Sequence, residues 1–124
     1  MLFAGAMCTA AVAQAIDPDR AAQMLAKGLD GSSGGGMKAV ATGHHVDIDQ
    51  TVSVPANLTA QELNARVAKA SKLTLENACH SHNVQTIVAQ GVTITWQFRD
   101  GVGTALASVD IDQAACAAAN RSGT

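Results

Sequence analysis

An uncharged apolar opening followed by two well-separated cysteines constrains this chain more than any other feature. Met1 to Ala15 carries no charge, and the run from Leu2 to Val12 leads into Ala13-Gln14-Ala15, the small-residue pattern of a secretory cleavage site. The basic residues that normally open a signal peptide are missing, which points to a true start several codons upstream. The expected mature chain begins at Ile16. A membrane-spanning helix needs roughly 18 apolar residues, and this run breaks at Asp17-Pro18-Asp19-Arg20, so stable membrane insertion is not expected. Cys8 follows Gly5-Ala6-Met7, without the aliphatic-then-small pattern of an acylation site.

Removing residues 1–15 leaves Cys79 and Cys116. An even cysteine count in an exported chain reads as one disulfide; two free buried thiols are the alternative, and a catalytic dithiol lacks its Cys-x-x-Cys pair. Closing that loop removes on the order of 4 kcal/mol of unfolded-state freedom in the chain-entropy model. The bridge matters because the core is lean: hydrophobic residues make up 48% of the 124, but alanine supplies many of them, with two Phe, one Trp and no Tyr. A chain of this length holds one domain. A net charge of -2, no Lys/Arg run and few aromatics exclude the basic footprint and stacking platforms of a nucleic-acid binder.

Beyond the leader, the chain divides into a helix and Gly/Ser-rich loop (16–36), an α+β domain (37–120) and a frayed end (121–124). Asp17 as cap, Pro18 at the first position and Asp19 in the first turn open a short helix with the apolar stripe Ala21, Met24, Leu25 and Leu29. Four glycines and two serines in 30–36 then separate it from the rest. Met37 to Thr42 gives weak strand alternation before Gly43. Val46, Ile48, Val52 and Val54 alternate with Asp47, Asp49, Thr51 and Ser53 as a half-buried strand that stops at Pro55. Thr59 and Glu62 form a capping box for a long helix over about Ala60 to Ala78, with Leu63, Val67, Ala70 and Thr74 on one face. Asn83 to Gln90 predicts a second short helix leaving at Gly91. Val92 to Arg99 and Thr104 to Ile111 alternate across Asp100-Gly101-Val102-Gly103 as a hairpin, with Ala105, Ala107, Val109 and Ile111 on one face. Asp112 caps a last alanine-rich turn carrying Cys116. The expected architecture is a small antiparallel sheet of three to four strands packed on two main helices and braced by one disulfide.

Candidate chemistry is sparse. His44 and His45 are neighbours, and His80 and His82 flank Ser81. Adjacent strand residues point to opposite faces, so polar boundary positions are the expectation and no metal site is assigned. Asp47 and Asp49 share one strand face and Asp110 and Asp112 another, so pairing those strands would gather four carboxylates. Regular strands lack the looped carbonyls a calcium site needs, and a solvated acidic face is expected. Gly31 to Lys38 fails as a phosphate loop because Lys38 lies between Met37 and Ala39, and Ser32 and Ser33 have neither a nucleophile elbow nor an ordered base. Trp96 shares its register with Ile94 and Phe98 and is expected in the core.

Val46-Asp47, a helix ending in Cys79, Gly91-Val92 opening a strand, Trp96-Gln97-Phe98-Arg99-Asp100 before a glycine turn and Val109-Asp110-Ile111-Asp112 ahead of Cys116 resemble the small exported bacterial proteins grouped as quorum-sensing-regulated virulence factors. The resemblance covers residues 46–116. It implies a periplasmic or secreted α+β protein and no particular reaction, and with Trp96 and Phe98 where tyrosines are expected it carries no phenolic role. The expected function is a protein-interaction module, virulence-associated, without catalytic activity or cofactor, binding an unspecified protein partner through a sheet edge or helix groove. The competing class is a small-ligand or metal-binding periplasmic protein or an enzyme, which needs a pocket where titratable groups converge.

Overall fold

The structure, a computed structural model, describes residues 17–32 and 36–122; the expected leader, with Cys8, and Ser33 lie outside the described residues. The elements are α1 (Pro18–Leu29), β1 (Met37–Thr42), β2 (His45–Thr51), α2 (Ala60–His80), α3 (His82–Ala89), β3 (Thr93–Arg99), β4 (Ala105–Ile111) and α4 (Gln113–Ser122). They form the expected α+β fold. The four strands lie in the order β1-β2-β3-β4, but the sheet is mixed rather than antiparallel throughout. β1/β2 and β3/β4 are antiparallel hairpin pairs, whereas β2 and β3 run parallel, with His45 opposite Thr93 and Thr51 opposite Arg99. The reason is connectivity: α2 and α3 lie between β2 and β3 and carry the chain back to the starting end, as a parallel crossover requires.

The core follows the strand alternation. Met37, Ala39, Val46, Ile48, Ile94, Phe98, Val109 and Ile111 are buried on one sheet face. Val92, Val88 and the two cysteines close the same interior. Trp96 joins this face half-buried, its indole Nε1–H donating to Gln50 Oε1 at 3.0 Å. A polar partner lets the ring pack without stranding its donor.

The first helix is part of the core rather than separated from it. Asp17 Oδ1 accepts the Asp19 N–H, as the capping signal predicts. Of the expected stripe Ala21 is buried and Leu25 and Leu29 pack half-buried against the core, but Met24 is 59% exposed, and Ala22, fully buried, and Ala26 take the closest positions instead. Small side chains let the helix lie close to β1 and β2. Asp30 and Gly31, just after α1, are tied to β1 at the sheet edge, since the Ala39 N–H donates to Asp30 Oδ1 and the Gly31 N–H to the Met37 carbonyl. Gly31 and Gly43 both have positive φ, as their turns demand.

At the C-terminal end, Asp112 Oδ1 accepts the Ala115 N–H at 2.7 Å and starts α4, which continues to Ser122 and is longer than the single turn expected. Cys79 on α2 and Cys116 on α4 form the disulfide, Cα–Cα 5.1 Å across 37 residues of sequence.

Candidate functional site: an apolar groove at the open end of the long helix

The capping box fixes where α2 begins. Thr59 Oγ1 accepts the Glu62 N–H and Glu62 Oε1 accepts the Thr59 N–H, both at 3.1 Å. These bonds hold the Glu62 carboxyl below the usual carboxylate range, the Thr59 backbone N–H first among the causes. From this start the helix crosses toward the disulfide, yet Cys79 is its only buried residue. Leu63, Val67 and Ala70, the face expected to pack inward, are only half-buried. They form one wall of a groove of about 190 Å³.

The opposite wall comes from the chain leaving β2, through Val52, Val54, Pro55 and Leu58. Its floor is Phe98 and Leu106. Leu106 reaches it because the β3/β4 register slips between Phe98 and Arg99: Phe98 faces Ala107 while Arg99 faces Ala105. The skipped residue is Leu106. A bulge re-aims a side chain, and strict alternation, which put only Ala105, Ala107, Val109 and Ile111 inward, cannot show that. Among the groove's lining residues Arg66 is the sole charged one. Beside the groove's Phe98, the β3/β4 turn carries Val102, 88% exposed.

The titratable residues singled out in the sequence do not converge. His44 at the β1/β2 turn has Nδ1 3.4 Å from Asp19 Oδ1 and ties the turn to the start of α1. His45 Nδ1 lies 2.6 Å from Thr93 Oγ1, and its Nε2 lies 3.2 Å from Asp47 Oδ1. His80 Nδ1 donates to the Glu76 carbonyl within α2, while His82 opens α3. β2 and β4 flank β3 instead of pairing, so the four-carboxylate cluster does not form. Asp49 accepts from Arg99 Nε at 3.0 Å, Asp110 accepts from the Thr95 hydroxyl, and Asp112 is spent on its cap. Among the described residues no group of three or more His, Cys, Asp or Glu is placed to hold a metal. Lys38 lies exposed on β1, and the Ser32 N–H donates to the Leu29 carbonyl in the turn after α1.

No family model and no curated protein matches the chain. Solved structures share its fold. The type 2 secretion system pilotin EpsS of Vibrio vulnificus aligns with TM-score 0.60 at 14% identity, over 80% of this chain and 87% of its own. A protein of Pseudomonas aeruginosa described as secreted aligns with TM-score 0.65 at 12% identity, over 83% and 96%. The type II secretion system pilotin AspS of Vibrio cholerae aligns with TM-score 0.51 at 19% identity, over 90% and 99%.

Proposed function

We propose that this is a small exported interaction module that receives an apolar segment of a protein partner in the groove between α2 and the chain leaving β2. The observation that carries the reading is the groove itself: aliphatic walls and a phenylalanine floor, left open beside the core. A contiguous apolar patch of this kind marks an interaction surface more often than idle exposure. Arg66 on its lining favours a partner segment that sets a carboxylate beside its apolar residues.

Export is part of the proposal. It is supported by the leader pattern, by the disulfide and by the fold shared with a protein described as secreted and with two secretion-system pilotins. Among the described residues no helix is long and apolar enough to cross a membrane. The pilotin likeness makes a place beside a type II secretion assembly the partner class to test first. The resemblance of residues 46–116 to quorum-sensing-regulated virulence factors belongs to the same proposal and adds regulation of expression rather than chemistry. No catalytic role is included.

The test is site-specific photocrosslinking in living cells, with the reactive group at Val67 or Leu106 and, as control, at Ser108. The expected result is one discrete protein adduct from the groove positions, absent from Ser108 and lost when Leu63 is replaced by Glu. Equal labelling from all three positions, or none from the groove, removes the reading.

A further inference from the structure

The groove beside α2 joins its apolar walls to an arginine that has no carboxylate. Arg66 is exposed, so its guanidinium can be reached by whatever enters the groove. Its natural helical partner is Glu62, one turn earlier. Glu62 is committed elsewhere: its Oε1 accepts the Thr59 N–H, and the Thr59 bonds chiefly lower its pKa, with Arg66 acting last and through space. The ion pairs among the described residues join His44 to Asp19, His45 to Asp47 and Arg99 to Asp49, and Arg66 is in none of them. Arg99 gives the contrast, since it donates to Asp49, Gln97 and the Gly103 carbonyl. The capping box that starts α2 therefore leaves a guanidinium fork open beside aliphatic walls.

We propose, resting on the reading of this groove as an open docking surface, that it also binds a free medium-chain fatty-acid anion in place of the partner's apolar segment. The carboxylate accepts two N–H bonds from the Arg66 guanidinium, the fork geometry that suits this pair of groups. The alkyl chain lies between Leu63 and Val67 on one side and Val54 and Leu58 on the other. At roughly 30 Å³ for a group the size of water, which a methylene matches, the volume of about 190 Å³ takes a chain of about six or seven carbons. Besides Arg66, only Ser53 brings a polar side chain to the lining. A peptide can insert side chains there but not its backbone, whose amides would lose their hydrogen bonds. A fatty-acid anion has no polar group other than the one Arg66 meets.

The experiment titrates the purified oxidised protein at neutral pH with octanoate, octanamide and acetate, following the methyl NMR signals of Leu63, Val67 and Leu106. The expected result is saturable shifts at all three with octanoate, an affinity for octanamide about tenfold weaker or more, as loss of a charge-assisted contact implies, and no groove shifts from acetate at the same concentrations. Arg66→Gln should lower the octanoate affinity to that of the amide, and Arg66→Lys should keep part of the preference. Absence of saturable shifts, equal affinity for acid and amide in the unmodified protein, or a preference that survives R66Q overturns the inference. Acetate shifts equal to those of octanoate do so too, since the arginine would then hold any anion without help from the groove. The partner reading fails separately: it is lost when octanoate binds but the Val67 photocrosslink does not form, and it stands while this inference is lost when the crosslink forms and octanoate does not bind.

Discussion

The two ends of α2 experience different environments. At its C-terminal end Cys79 is buried against Cys116, and Ile94, Ile111, Val88 and Val92 close the interior around the bridge. At its N-terminal end the same apolar periodicity continues through Leu63 and Val67, but these residues line an open groove. A helix held by a covalent anchor at one end need not be zipped down at the other. The difference shows how a lean chain can keep an unfilled apolar surface: the bridge supplies stability that a full set of packed side chains would otherwise have to provide.

The comparison can be broken first at the bridge. Replacing Cys79 and Cys116 together with Ala should cost about 4 kcal/mol in the chain-entropy model, measured by urea denaturation of the variant against the oxidised parent. A loss below about 1 kcal/mol would mean that packing alone holds the closed end. Next in size is a matched truncation. Ile111→Ala, at a site 1% exposed, should cost about 2–5 kcal/mol. Leu63→Ala in the groove should cost about 1 kcal/mol or less, because water already reaches that side chain. Equal costs would place both ends in one core.

The smallest effect sharpens the open end. Thr59→Ala removes an N-cap and should cost about 1 kcal/mol. The accompanying pH effect has a definite sign. Because the folded-state pKa of Glu62 is lowered, its contribution is present above the unfolded value of roughly 4.3 and is lost as pH falls through the folded value. Glu62→Gln keeps a capping side chain without the titration, so it should flatten that part of the acid limb, read by circular dichroism between about pH 5 and pH 3.

Much of this fold is readable from residue order, for local reasons. The Thr59–Glu62 box, the Asp17-Pro18 start and the hairpin across Asp100–Gly103 are short-range signals, and each forms where it was expected. The parallel β2/β3 pair departs from the expected antiparallel sheet: two helices between the strands carry the chain back to its starting end, and strand alternation does not record direction. What could not be read depends on tertiary competition. Ala22 and Ala26 take the most buried positions of α1, with Leu25 and Leu29 half-buried beside them, because close helix approach outweighs the burial of Met24. Leu106 turns into the groove through a bulge that no periodicity marks. The acidic residues look like a cluster only until strand order is known; β3 between β2 and β4 separates them.

The claim that one helix is closed at its disulfide end and open at the other is tested most directly by native-state hydrogen exchange along α2 in the oxidised protein. The account predicts that amides of residues 74–80 exchange only near the global unfolding free energy, while those of residues 63–70 exchange through local opening at least tenfold faster. Uniform protection from Leu63 to His80 would contradict it, and the groove would then be an ordinary part of the core.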